Sequence, residues 1–206
     1  MSEPVVIRLP GDAGQLRALS AGTAVSLSGP VYTARDATHE KLISELAAGG
    51  ALPHGLVGQV LFYAGPTPAT AGRPAGSVGP TTAKRMDTWT PALLAAGIAA
   101  TIGKGARSEA VRDACQAHGA VYLAAVGGAA ALLGSHVIAA EPVAYADLGT
   151  EALVRLELDS FPVWVAIDAD GHDLYALARQ EWAEEVAGAG ASTAPSEPAS
   201  GAEDLR

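Results

Sequence analysis

With 206 residues, 49% hydrophobic and 17% charged, the chain is long enough for one domain with its own core plus a short tail. A formal charge of −9 excludes a general nucleic-acid binder, and the single cysteine, Cys115, excludes an internal disulfide, an all-cysteine zinc site and an iron–sulfur site built by this chain alone. No apolar run reaches the roughly 20 residues that cross a bilayer, and Met1-Ser2-Glu3-Pro4 lacks the basic start of a signal peptide, so a cytoplasmic protein with no membrane partner is expected. The charge is uneven. Residues 30–107 hold seven basic side chains against four acids, a net of +3 that leaves −12 for the rest, so a small anion is drawn to this segment.

In chain order, "PVVIRLP" is an extended entry, and "GTAVSLSGPVYTA" reads as a strand in which Ala24, Ser26 and Ser28 alternate with Val25 and Leu27. Asp36 is a suitable N-cap for the helix "ATHEKLISELAAGG", which Gly49-Gly50 ends. "LVGQVLFYAGP" is a buried strand, and the Gly/Pro/Thr-rich "TPATAGRPAGSVG" is a functional or mobile loop. Pro80 suits the first turn of a helix through "TTAKRMDTWTPALLAAG", broken or kinked at Pro91. "IAATIG", "SEAVRDACQAHG" and "AVYLAAV" form a βαβ unit with a parallel strand pair, and Cys115 is a small apolar residue of its helix. A short helix, "AAALLGSHV", follows Gly127-Gly128. Two further strands are "ALVRLELDSF" and "VWVAIDADGHDLYAL", the second turning at Asp170-Gly171, and a last helix covers about 176–186. Residues 188–206, acidic and rich in Ala, Ser, Pro and Gly, are expected to be a disordered tail. Alternating helices and strands give an α/β fold with a mixed sheet flanked by helices.

Three strand-to-helix junctions carry basic residues. In "YTARD", Arg35 beside helix amides suits a carboxylate, or else pairs with Asp36 or Glu40 on the surface. In "GPTTAKRMDTW", a helix opened by Pro80 leaves the amides of Thr81, Thr82 and Ala83 unpaired and puts Arg85 one turn beyond Thr81; the alternative is a capped surface helix with solvated Lys84 and Arg85. In "IGKGARS", Lys104 is either a point charge for an anion or a solvated lysine in a tight turn, and the glycine spacing is not that of a P-loop. Gly127 allows close packing or ligand approach. The five histidines lack metal-ligand spacing, "DADGHD" reads as a β-turn, and no metal site is expected.

Together "GPVYTARDATHEKL", "GQVLFYAGP", "GPTTAKRMD", "IGKGARS", "VYLAAVGGAAALL", "DLGTEAL" and "DSFPVWVAIDADG" resemble, in order, the beta subunit or C-terminal domain of iron–sulfur-dependent hydro-lyases, class I fumarate hydratase and L(+)-tartrate dehydratase. The resemblance covers about residues 15–175. It implies a swivelling β/β/α domain over residues 1–187 that is active only with a cluster-bearing alpha chain, as a heterodimer or heterotetramer, on a small dicarboxylate. It implies a [4Fe–4S] cluster held by the alpha chain and none by this one. It makes Thr81 a catalytic residue in removing the proton beside a carboxylate, and Arg35, Arg85 and Lys104 the dicarboxylate ligands. Thr82, Lys84, Asp36 and Gly127 stand around them. Lys84 departs from the family, which often has glycine there, and bears on which diacid is preferred. Fumarate hydration to malate is the expected reaction; tartrate dehydration and a non-catalytic carboxylate- or partner-binding domain are the alternatives.

Overall fold

The computed structural model describes residues 3–49, 51–69 and 71–191. Its strands are β1 (Val5–Arg8), β2 (Ala24–Thr33), β3 (Val60–Phe62), β4 (Ala100–Gly103), β5 (Val121–Ala124), β6 (Val137–Ala144) and β7 (Leu153–Ile167). Its helices are α1 (Asp36–Gly49), α2 (Thr90–Ala95), α3 (Glu109–His118), α4 (Ala130–Gly134) and α5 (Leu174–Ala191), with 3-10 turns at Ala13–Ala18, Ala83–Met86 and Ala146–Glu151. The fold is α/β with a mixed sheet and flanking helices.

Strands β1 to β5 run parallel, and β7 lies antiparallel to β2, β5 and β6. The sheet order is β1-β2-β3-β4-β5-β7-β6, but β2 also pairs with β7, so the strands β2-β3-β4-β5-β7 close on themselves. The alternation that marks β2 in the sequence is the reason it can face this interior: Val25, Leu27 and Val31 are buried and Ser26 and Ser28 are only partly so. Inside stand Phe62 and Phe161, edge to face at 5.4 Å, with Leu123, Val163 and Val165 around them. Each such side chain contributes about 1.5–3 kcal/mol when fully buried.

Several expected elements come out differently. The two late strands are one, β7, running through Ser160 at φ 53°, because β2 supplies pairing partners on both sides of the Asp159-Ser160 break. "IAAEPVA" is strand β6, paired only to β7 and largely exposed. Pro80 opens no helix: it sits in an antiparallel bridge with Ala64, and helical structure starts only at Ala83 as a 3-10 turn. Pro91 starts α2 rather than breaking a helix, at a position where the missing N–H costs nothing. The Asp170-Gly171 turn is present, its Gly171 N–H bonded to the Asp168 carbonyl at 3.1 Å.

Contacts divide the chain after Leu174 into two units. The second holds nearly all of α5, which exposes Leu177, Trp182 and Val186. Helix α5 runs to Ala191, past residue 188 where the tail is expected to begin, and residues 192–206 of that tail lie outside the described residues. No described helix is long and apolar enough to cross a membrane.

Candidate functional site

The carboxyl ends of β2, β3, β4 and β5 lie side by side, with Thr33 paired to Phe62, Phe62 to Ile102, and Gly103 to Ala124. Arg35, Tyr63, Lys104 and the Val126-Gly127-Gly128 turn leave the sheet along this one edge, where ligands of α/β folds meet the protein. The segment after Gly79 crosses it. The Thr81 N–H donates to the Tyr63 carbonyl at 2.7 Å, the Lys104 N–H to the Thr81 carbonyl at 3.2 Å, and the Ala83 N–H to the Lys104 carbonyl at 2.9 Å. Thr81 is therefore pinned beside Lys104 by backbone pairing, not by a helix.

Glycines make the close approach possible. A Cβ on Gly103 would stand 2.9 Å from both the Ala83 Cβ and the Tyr63 ring, so only glycine lets the crossing segment lie down there. At Gly65 a Cβ would come within 3.0 Å of the Arg35 guanidinium and 2.9 Å of the Thr150 carbonyl. The Lys104 stem runs over Gly127, its Cδ 3.2 Å from where a Cβ would be, which is the close packing expected of that glycine.

The expected helix-end anion sites are already filled by the chain's own carboxylates. Asp36 does not cap α1; the Glu151 carboxylate does, accepting from the Ala37 N–H at 2.9 Å and standing 3.4 Å from Arg35 Nη2. Thr38 Oγ1 adds a bond to the Glu151 carbonyl. At α3 the Ser108 N–H donates to Asp87 Oδ2 at 2.6 Å. The amides of Thr81 and Ala83, expected to point outward, are both used in the bridge with Tyr63 and Lys104. The groups this edge leaves open are therefore side chains.

Those side chains differ in how committed they are. Arg85 grips Asp36 with Nε at 3.0 Å and Nη2 at 2.7 Å, so it does not share a helix face with Thr81 but bends back to the first turn of α1. Arg35 keeps a buried Nε without a hydrogen-bond partner. Among the described residues, no group hydrogen-bonds the Thr81 hydroxyl, and neither Lys104 nor the exposed Lys84 has an ion-pair partner. Thr82 is exposed beside them.

Beneath this rim lies a layer that residue patterning does not reveal. The Arg107 guanidinium is fully buried, donating to Asp87 Oδ1 at 2.6 Å and to Thr90 Oγ1 at 2.8 Å, with the Tyr63 and Tyr122 rings 5.2 and 4.8 Å away. Burial opposes its charge, but Tyr63 and Asp87 outweigh that and its pKa is raised. His39 is buried between Tyr63 and Trp89, its Nδ1–H donating to the Arg35 carbonyl at 2.7 Å. Burial, aided by Arg107, lowers its pKa to about 4, so it is neutral. Glu151, Tyr63, Asp87, Arg107 and His39 all fall inside the motifs "DLGTEAL", "GQVLFYAGP", "GPTTAKRMD", "IGKGARS" and "GPVYTARDATHEKL", which is the one signal that could have raised them.

Cys115 is buried in α3, where burial pushes its thiol pKa up to about 12. Asp168, Asp170 and His172 come close enough together to suggest a metal, but both Asp168 oxygens already accept hydrogen bonds, from Ala21, Asp170 and His172. That cluster is a hydrogen-bonded turn.

Parallel strands whose ends carry Arg35, Lys104 and the crossing segment with Thr81 and Arg85 make this an α/β domain with a cationic edge. The chain belongs to the family described as Fumarase C-terminus, which it matches over residues 3–178. It is 40% identical to the anaerobic class I fumarate hydratase of Escherichia coli (strain K12) and 39% identical to the aerobic one, each over 163 residues and 78% of this chain. The chain spans about 30% of the length of those two relatives. Against a Methanocaldococcus jannaschii protein named for the L(+)-tartrate dehydratase beta subunit it is 37% identical over 166 residues, 78% of this chain and 85% of that one.

Proposed function

We propose that the chain is the beta-type subunit of a hydro-lyase that hydrates fumarate to malate reversibly, and that it acts only with a separate alpha chain, as a heterodimer or heterotetramer. The observation that carries this is the pairing of Thr81 with Lys104 on the same strand edge as Arg35 and Arg85. A dicarboxylate has two charged ends, and this edge offers three cations around one hydroxyl.

An iron–sulfur cluster does not fit this chain: its one cysteine is buried with a thiol pKa of about 12, and the Asp168 group is occupied by its own turn. The [4Fe–4S] cluster of the proposed enzyme therefore belongs to the alpha chain. What this chain supplies is binding, orientation and a place for a proton. Arg35, a quarter exposed beside Glu151, meets a substrate carboxylate with the open part of its guanidinium, and Lys104 adds a point charge from a strand end on the same edge. Arg85 uses only one edge of its fork on Asp36, and that pair is exposed enough that a substrate carboxylate shares or displaces it at little cost. Thr81 takes the proton beside the carboxylate. An isolated threonine hydroxyl is a poor base, so it needs a carboxylate from the alpha chain and the surrounding positive field. Negative charge grows on the carboxylate as the proton leaves, and the cations stabilise it most at that point.

The test is anaerobic reconstitution with the cluster-bearing alpha chain, assayed on fumarate, mesaconate and tartrate. Turnover of fumarate is expected. Turnover of tartrate alone makes the chain a tartrate dehydratase beta subunit, with Lys84 as the residue to exchange for glycine. An intact cluster-bearing complex that turns over no diacid leaves a carboxylate- or partner-binding domain instead.

A further inference from the structure

Three of the rim residues stand on two separate pieces of chain: the crossing segment 80–90, which carries Thr81 and Arg85, and the turn 103–108, which carries Lys104. Their backbones meet in one short bridge, Thr82 with Lys104. A single bridge fixes a contact point but leaves the two pieces free to pivot about it. Beyond the bridge and the packing of Gly103 against Ala83, the hydrogen bonds that join them among the described residues pass through Arg107 and Asp87.

Asp87 holds the turn with both oxygens, one on Arg107 Nε and one on the Ser108 N–H, each at 2.6 Å. Arg107 reaches back to Thr90 Oγ1 at 2.8 Å. The Thr90 hydroxyl donates its own proton to the Met86 carbonyl at 2.8 Å, so the Tyr63 hydroxyl, 3.0 Å away, must be the donor to it. Tyr63 is the residue whose carbonyl receives the Thr81 N–H. On the other side the Tyr122 hydroxyl donates to the Gly105 carbonyl at 2.8 Å, fixing the residue next to Lys104, while its ring lies against the same guanidinium. Arg107 thus touches both tyrosines that hold the two rim segments and the Asp87 and Thr90 side chains of the crossing segment.

A buried ion pair gains little stability over well-packed apolar side chains, so stability alone is a weak reason for one here. A planar fork in a fixed set of partners gives direction instead. Resting on the hydro-lyase assignment above, we infer that Arg107 and Asp87 are positioning residues that set the distance between the Thr81 hydroxyl and the Lys104 ammonium. They touch no substrate.

The experiment compares the wild-type complex with Arg107→Lys, which keeps the charge and loses the fork, and with Asp87→Asn, which keeps the shape. Hydrogen exchange and steady-state kinetics are measured on the same preparations, kinetics per folded complex, with malate and with malate deuterated at the carbon that loses its proton. The expected result is exchange at least about 10-fold faster at the Thr81, Ala83 and Lys104 amides, with the amides of β2 and β7 unchanged. In the same variants kcat should fall about 100-fold, the size of effect a misplacement near 1 Å produces, and the deuterium effect on kcat should rise as proton removal becomes slower. Asp87→Asn should lose less than Arg107→Lys. Local exchange that rises while kcat, KM and the deuterium effect stay at wild-type values overturns the inference, and so does unchanged exchange. If both variants merely lower the folded fraction, with kcat per folded complex intact, the pair is structural and the inference is again overturned. Absence of turnover by the wild-type complex overturns the hydro-lyase assignment and this inference together, whereas the other outcomes touch the inference alone.

Discussion

Two arginine–aspartate pairs that share the crossing segment have nearly the same bond length, 2.7 Å for Arg85–Asp36 and 2.6 Å for Arg107–Asp87, and opposite characters. The first has side chains 48% and 28% exposed; the second, 0% and 12%. Water screens the rim pair, so it is a loose tether that a ligand can replace. No water reaches the guanidinium of the lower pair, so removing either partner strands a charge. The same two residue types thus give one movable contact and one fixed strut, and solvation rather than distance decides which.

The contrast predicts activity loss without stability loss at the rim, and loss of stability together with activity below it. Thr81→Ala should lower kcat about 10²–10⁴-fold in the reconstituted complex while the melting temperature stays within about 2 °C of wild type, checked by steady-state kinetics and calorimetry. Asp87→Ala should cost about 3–5 kcal/mol in urea unfolding, since it leaves the Arg107 charge buried and unpaired. A loss under 1 kcal/mol there would erase the distinction between the pairs. His39 gives a pH signature of the buried layer. Its folded pKa of about 4 lies below the ordinary histidine value of 6.5, so the folded state binds fewer protons, and stability is full above pH 6.5 and lost as pH falls through about 4. The loss amounts to about 3 kcal/mol, and it should vanish from the stability–pH profile of His39→Phe. Asp36→Asn should be the mildest change, costing under about 1 kcal/mol because the pair it breaks is exposed, with substrate KM unchanged or slightly lower as Arg85 is released.

Much of the scaffold is readable in the sequence where local signals decide. The alternation of β2 and the strand–helix–strand run from Ala100 to Ala124 needs no distant information. The rim residues stand in the motifs that carry, in order, the resemblance, and the structure brings them to one edge of the sheet. Failures occur where a distant partner wins over a local rule. Pro80 fits a helix start and equally fits a bridge in which no N–H is asked of it, and only Ala64 decides between them. Asp36 looks like a cap, but Glu151, 114 positions from Ala37, takes that role and frees Asp36 for Arg85. The two late runs part at Pro162 in the sequence, yet pairing with β2 on both sides of a register shift carries β7 through as one strand. The Arg107 layer has no periodicity at all; its members come from four pieces of chain and meet only when the parallel strands align their ends.

The closure of β2 through β7 bears on how such a domain could move. Because β7 is bonded along one side to the whole length of β2 and along the other to β5 and β6, no strand in the ring can slide without breaking pairs on two sides at once. Sliding within the ring is therefore stiff, and any large rotation of this domain needs its hinge in chain outside the ring. The distance from Thr81 to Lys104 then travels with the domain as a fixed unit, and the rotation changes only what the pair faces.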